Sequence, residues 1–310
     1  MTLFDRMLGD TPFNRAELAL LVQTAPRRYK VHKIAKRNNR GEREIAQPTA
    51  EIKLLQRWIV DNVFRDLPVH DAATAYRKGG SILVHARPHA DKRYLLKLDF
   101  KNFFPSITAN AFEMHLKRYA KNLINDDIQL LIRLLFRLDS RETELRLSIG
   151  APSSPAVSNT VMYPFDEKVQ KICRDLKVTY TRYADDLAFS TNVPRVLDVV
   201  LEKIRSLCKE IEYPSLALNQ KKTVNVSRKH HRQLTGLTLT NQGRVSLGKD
   251  KRRILRSMID HFARGLLDDA GIARLRGLLA FARSVDPSVI DLVEKRVPKH
   301  LVSILLPGQI

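Results

Sequence analysis

Two adjacent carboxylates, Asp185 and Asp186, follow Tyr183-Ala184 and stand between the short apolar stretches Val178–Tyr180 and Leu187–Phe189. Two such runs joined by a short turn predict a β-hairpin whose tip presents both acids. A third acid, Asp99, ends the apolar run Tyr94-Leu95-Leu96-Lys97-Leu98, which reads as a strand. If that strand finishes beside the hairpin, three carboxylates share one small volume. Hard divalent cations take carboxylate oxygens. Acids at two strand ends therefore suit a two-metal phosphoryl-transfer site, one ion activating the attacking oxygen and the other stabilising the leaving oxygen. An Asp-Asp pair alone more often marks a solvated turn, so the surrounding pattern has to decide.

The elements that must position these acids are readable in outline. Lys30–Lys36 and Arg43–Ala46 flank Arg37-Asn38-Asn39-Arg40-Gly41-Glu42, whose Asn and Gly favour a turn, giving a basic β-hairpin. Pro48-Thr49 then starts a helix with Ile52, Leu55, Ile59 and Val63 on one face and Lys53, Gln56 and Arg57 on others. Helical patterning runs through Phe112–Leu138. A further helix places Phe165, Val169, Ile172 and Leu176 together, with Pro164 near its start or kinking it, and a third carries Leu197, Val200, Ile204, Leu207 and Ile211. This strand, helix, hairpin, helix succession suits an α+β fold with helices on one face of an antiparallel sheet. From about Lys249 the pattern is wholly helical, with Ile254, Met258, Phe262 and Leu266 on one stripe and Ile272, Leu275 and Leu279 on the next.

Composition narrows the partners. The chain has 310 residues, 54 Lys+Arg against 33 Asp+Glu, and a formal net charge of +21, which matches a polyphosphate partner. The basic residues spread over several elements instead of one amphipathic helix, which favours nucleic acid over an anionic membrane surface. No basic-then-apolar signal pattern opens the chain, and no apolar run approaches membrane-spanning length, so no membrane partner is expected. Cys173 and Cys208 fall on apolar helical positions, where free thiols in a reducing cytoplasm are expected.

The segment Leu98-Asp99-Phe100-Lys101-Asn102-Phe103-Phe104-Pro105-Ser106-Ile107, then Gly150-Ala151-Pro152-Ser153-Ser154-Pro155, then Tyr183-Ala184-Asp185-Asp186 occur in the order and spacing of reverse-transcriptase palm motifs. The chain resembles a bacterial retron reverse transcriptase, an RNA-directed DNA polymerase. The resemblance implies a right-hand polymerase fold: fingers with an N-terminal helical segment over 1–98, palm over 99–240 with some fingers elements in 108–150, and a helical thumb over 241–310. It implies that Asp99 and Asp185 bind two catalytic Mg²⁺ ions, with Asp186 in support and the Phe100 carbonyl as a further ligand, and that dNTPs are the substrates.

The same resemblance gives other residues roles. Phe104 stands where an aromatic steric gate lies beneath the incoming sugar, and Gly150 where a glycine lets nucleotide and template approach the backbone. Arg43, with Lys36 as a second candidate, matches the fingers cation on the triphosphate, and Lys222 the lysine near the pyrophosphate leaving group. Ile149 stands where many relatives carry Gln, which removes a side-chain hydrogen bond to nucleotide or template.

Two elements point to retrons within the family. His85-Ala86-Arg87-Pro88-His89 resembles the Asn-Ala-x-x-His element, with His in place of Asn, and Leu234-Thr235-Gly236 resembles the Val-Thr-Gly element. The resemblance implies that these regions recognise a structured noncoding RNA. It further implies priming from a 2′-hydroxyl, a DNA product joined to that RNA, and antiphage defence with a separately encoded effector. Ala75-Tyr76-Arg77-Lys78-Gly79-Gly80-Ser81 also resembles a fingers motif. Two alternatives share parts of this pattern: a group II intron or other defence-associated reverse transcriptase, and a catalytically silent RNA-binding protein on a polymerase fold.

Overall fold

Alternation along three strands builds the centre of the molecule. The computed structural model describes residues 1–35, 41–139 and 143–306. Strand β3 (Tyr94–Asp99) lies between β7 (Asp186–Thr191) and β8 (Val224–Ser227), and β6 (Thr179–Tyr183) pairs with β7 at the edge, giving the antiparallel order β6-β7-β3-β8. Successive side chains point to opposite faces. Leu96, Leu98, Leu187 and Phe189 enter a large core with Phe165, Val169, Val200 and Ile204, from the helices Tyr163–Asp175 and Val196–Glu210. Leu95 and Ala188 enter a second core with Ala86, Ala90, Leu234 and the C-terminal helices. The expected helices cover one face, and the helix Ile82–Ala86 lies against the other.

The basic hairpin is present as β1 (Tyr29–Ala35) and β2 (Glu42–Pro48), paired from Tyr29↔Pro48 to Ala35↔Glu42. The helix after it spans Ala50–Asn62 and buries Ile52, Leu55 and Ile59 as expected. Gln56 departs from expectation. It is fully buried, because its amide donates to the Leu134 carbonyl (2.8 Å) and the Tyr29 hydroxyl (3.2 Å), and so has polar partners away from water.

The expected helical stretch Phe112–Leu138 is two helices, Ala109–Tyr119 and Asn125–Leu135, followed by β4 (Arg137–Leu138), which pairs with β5 (Leu145–Arg146). Asp126 and Asp127 in the first turn suit the positive end of the second helix, and Asp127 also accepts the Leu3 N–H (2.8 Å), tying down the helix Leu3–Asp10.

Three short strands, β9 (Arg232–Leu234), β10 (Leu237–Leu239) and β11 (Val245–Ser246), form a separate sheet whose Leu234, Leu237 and Leu239 pack with the C-terminal helices. In the helix Lys249–Ala263 the buried stripe is Leu255, Ile259 and Phe262, so that of the expected Ile254, Met258, Phe262 and Leu266 only Phe262 is buried. Ile254 is 45% exposed and Leu266 65%. Both series have helical spacing, and a rotation of one residue exchanges them; Leu266 falls beyond the helix, after Gly265 at φ +70°. The helix Asp269–Val285 buries Leu275 and Leu279 as expected. Among the described residues no helix is long and apolar enough to cross a membrane.

Candidate active site

The catalytic candidates meet at one end of the four-stranded sheet. Asp99, the last residue of β3, stands opposite Asp186, the first of β7, and Tyr183 also pairs with Asp186, so Ala184-Asp185 is a two-residue turn. Just past its strand, Phe100 donates its N–H to the Asp185 carbonyl (3.1 Å), closing β3 onto the turn. Three acids from two separated segments are thereby neighbours through backbone pairing alone.

The turn is held from behind. Ala184 sits at φ +56°, a left-handed conformation that costs a residue with a Cβ roughly 1–2 kcal/mol. Its carbonyl accepts from the Arg182 guanidinium (3.2 Å), and that guanidinium is paired with Asp166 (Nη2–Oδ2 2.7 Å), both side chains wholly buried. Tyr180 donates its hydroxyl to the same carboxylate (2.7 Å). The opposite edge of β6 is held by Thr74, whose N–H and hydroxyl both donate to the Arg182 carbonyl (2.8 and 2.9 Å). Neither Asp166 nor Arg182 stood out in the sequence; a charged pair at helix position 166 and strand position 182 becomes a unit only in three dimensions.

Electrostatics at the site are those of crowded acids. Burial and the charges of Asp185 and Asp99 push Asp186 up to about 6. Burial and Asp99 raise Asp185, opposed by Lys222 and Arg43. The Asp99 carboxylate accepts from Lys222 Nζ (2.7 Å) and from the Asn219 amide (3.2 Å). Among the described residues no three carboxylates, imidazoles or thiols form a ready metal cluster. The donors nevertheless fit a hard divalent cation, since all are carboxylate oxygens whose mutual repulsion such a charge would relieve.

Comparison with known proteins settles the family. The chain matches the reverse transcriptase (RNA-dependent DNA polymerase) family over residues 34–239. It is 41% identical over 270 residues to the retron Ec83 reverse transcriptase of Escherichia coli, covering 86% of each chain. The chain belongs to the retron reverse transcriptases. It is also 34% identical over 278 residues to the retron Ec73 enzyme of Escherichia coli, again covering 86% of each. Among solved structures, telomerase from Candida tropicalis with a TWJ fragment of telomeric RNA aligns with a TM-score of 0.51 at 13% identity, over 90% of this chain and 56% of that one. This likeness concerns the fold alone, and the chain spans little more than half of that structure. The retron reverse transcriptase is thus an RNA-directed DNA polymerase with a right-hand fold, and membership implies dependence on a divalent metal.

The remaining candidates of this retron reverse transcriptase divide by burial. Phe100 and Phe103 are buried, whereas Phe104 is half-buried, its ring 5.4 Å from Phe103 and 6.5 Å from Tyr76. Arg43 is exposed on β2, and its charge reaches Asp185 and Tyr76. Lys36 lies outside the described residues. Gly150, at φ +118°, approaches β2: a Cβ there would lie 3.0 Å from Ile45 Cγ2 and 3.1 Å from the Ala46 carbonyl. In the chain alone this close approach is to the basic hairpin. Beside it the Ile149 carbonyl accepts the Ala46 N–H (2.8 Å).

The side chains of the retron elements are largely turned inward. His85, Ala86 and His89 are fully buried, so as folded their side chains present nothing to an RNA surface. Thr181 Oγ1 lies 2.8 Å from His85 Nδ1 and 2.8 Å from His89 Nε2, and His89 Nδ1 lies 2.7 Å from Ser190 Oγ. Burial pushes both imidazoles down to about 3. They bind the segment from Ile82 to His89 to the back of the Asp185-Asp186 hairpin. Leu234 is likewise buried, and Thr235 and Gly236, at φ +44° and +81°, make the β9–β10 turn, where the Gly236 carbonyl accepts from Lys251 (2.8 Å). A short motif cannot distinguish a polar contact turned inward from one turned outward.

Proposed function

We propose that this reverse transcriptase copies part of a bound, structured noncoding RNA of the msr-msd kind into DNA, primed from a 2′-hydroxyl of that RNA, in antiphage defence with a separately encoded effector. Two Mg²⁺ ions and dNTPs complete the reaction. The observation supporting this reading is the register that sets Asp99 opposite Asp186 with Asp185 joined to Phe100, in a chain whose relatives are retron enzymes.

Asp99, Asp185 and Asp186 would hold the metal, with the Phe100 carbonyl as a further ligand. When bound, the divalent ions supply activation of the attacking hydroxyl and charge stabilisation at the leaving oxygen. The chain's own groups bind and orient the nucleotide. Arg43 offers a guanidinium fork to the triphosphate, Lys222 an ammonium beside Asp99 for charge developing on pyrophosphate, and Phe104 a half-buried ring beneath the sugar. The three-way division into fingers, palm and thumb belongs to this proposal. So does a reducing cytoplasm, supported by free Cys173 and Cys208, whose thiols burial pushes up to about 12 and about 11. The excess of basic residues supports polyphosphate binding that weakens as salt rises.

Sequencing the nucleic acid that copurifies with the protein tests the reading. A short structured RNA with covalently attached DNA is expected. An intron RNA, or no RNA, would overturn the retron assignment in favour of another reverse-transcriptase class.

A further inference from the structure

Tyr76 is an anomaly of both backbone and exposure. It holds φ +59°, a conformation a bulky side chain rarely adopts, and 49% of the residue is exposed. Backbone in sparsely populated conformations persists where its surroundings impose it, and such residues cluster at functional sites. Both flanks of Tyr76 are fixed. The Ala75 carbonyl accepts from the buried Asn159 amide (2.8 Å), and Thr74 is bonded to the Arg182 carbonyl. On the other side the Gly80 N–H donates to the Arg77 carbonyl (2.9 Å), and a Cβ at Gly80 would come within 2.4 Å of the Thr74 carbonyl. The tyrosine is clamped in place, and its ring still faces outward.

Its neighbours are those of the active site. The Tyr76 ring centroid lies 6.5 Å from that of Phe104 and 6.4 Å from that of Tyr183, the residue that opens the catalytic turn. Burial and the Asp185 charge raise its phenol, while Arg43 opposes them. A ring needed only for packing would be covered. This one stays 49% exposed with Phe104 beside it.

We propose that Tyr76 is a specificity-determining residue, its ring forming with Phe104 a two-sided apolar wall for the sugar of the incoming nucleotide. The inference rests on the reading of Phe104 as the sugar gate. A deoxyribose presents only C–H at its 2′ edge to such a wall. A ribose would place a hydroxyl there without a hydrogen-bond partner, which a water-excluding pocket rejects.

The test is single-nucleotide incorporation by the full-length protein on one primer–template, comparing dNTP with rNTP for wild type, Tyr76→Ala, Tyr76→Phe and Phe104→Val. Tyr76→Ala should lower the dNTP-to-rNTP ratio of kcat/KM about tenfold, the scale at which an apolar pocket discriminates one small group. It should do so with a raised KM for dNTP and kcat within about threefold, because binding rather than chemistry is affected. Tyr76→Phe keeps the ring and should behave as wild type. RNA binding verifies folding, and Tyr76→Leu replaces Tyr76→Ala if the smaller side chain abolishes it. An unchanged ratio in Tyr76→Ala overturns the proposal, as does a fall in kcat alone, which would make Tyr76 a mere prop for the turn. If Phe104→Val relaxes selection while Tyr76→Ala does not, only the Tyr76 inference falls. Relaxed selection in Tyr76→Ala alone overturns the role of Phe104 and with it the two-sided wall.

Discussion

Arg182 holds Asp166 in a side-on pair, with Nε 2.9 Å from Oδ1 and Nη2 2.7 Å from Oδ2, while its Nη1 donates to the carbonyl of Ala184 and to Asn159 Oδ1. A single guanidinium thus joins the helix Tyr163–Asp175 to the turn that carries Asp185. Removing one partner of a buried ion pair strands the other charge, at a cost of about 3–5 kcal/mol. Arg182→Gln and Asp166→Asn should therefore lower the denaturant midpoint and reduce kcat more than they raise the KM for dNTP. Arg182→Lys should recover little, since an ammonium cannot bridge two carboxylate oxygens and a carbonyl in that fork geometry. Unfolding curves and single-turnover kinetics on the three variants check this.

Substituting both Asp185 and Asp186 with Ala should abolish DNA synthesis and leave RNA binding close to wild type, because the charge that attracts RNA is elsewhere. Primer extension and a filter-binding titration measure the two effects. Synthesis at the wild-type rate would remove both acids from the chemistry.

Lys222 competes for the Asp99 oxygens that a metal would use. Lys222→Met should bind Mn²⁺ more tightly, as read by electron paramagnetic resonance, while incorporating dNTP more slowly by about tenfold or more through loss of charge near the leaving group. Opposite signs in the two measurements separate the roles of a single ammonium.

The imidazoles behind the hairpin give a pH signature. His85 and His89 are pushed from 6.5 to about 3 in the folded chain, so between those values the unfolded chain binds more protons. Their contribution to stability is complete above pH 6.5 and is lost as pH falls toward 3. The raised Asp186 acts oppositely, stabilising the fold at low pH and losing that contribution as pH rises through about 6, and Asp185, also raised by burial and Asp99, acts in the same direction. The histidine part is isolated by difference: His89→Gln should flatten the acid side of a plot of thermal midpoint against pH. An unaltered slope would place the titrating group elsewhere, His115, which burial lowers to about 4, being the next candidate.

What was legible in the chain follows from local rules. The Asp185-Asp186 hairpin, the β3 strand and the basic hairpin each carry a two-residue alternation or a short turn, and the two hairpins and the β3–β7 pairing are present. The acids followed because they occupy the ends of those strands. Burial of polar groups was not legible, since Gln56, His85, His89, Asp166 and Arg182 are inside only by virtue of partners far away in sequence. The C-terminal stripe failed for a different reason: two apolar series one residue apart satisfy the same helical period, and tertiary packing chose Leu255 and Ile259. Tyr76 lay within the Ala75–Ser81 motif, but its backbone conformation was not legible there, because it is imposed by bonds to Asn159 and Arg182 on its neighbours.

The seat of Gly150 against β2 limits how the molecule can flex. With the Ile149 carbonyl bonded to Ala46 and a Cβ at Gly150 crowding Ile45, the root of the basic hairpin is riveted to the loop at Ile149-Gly150. Any clamping stroke of that hairpin must pivot beyond this rivet, so its travel belongs to the outer residues around Ala35 and Glu42 while the inner end moves with the loop.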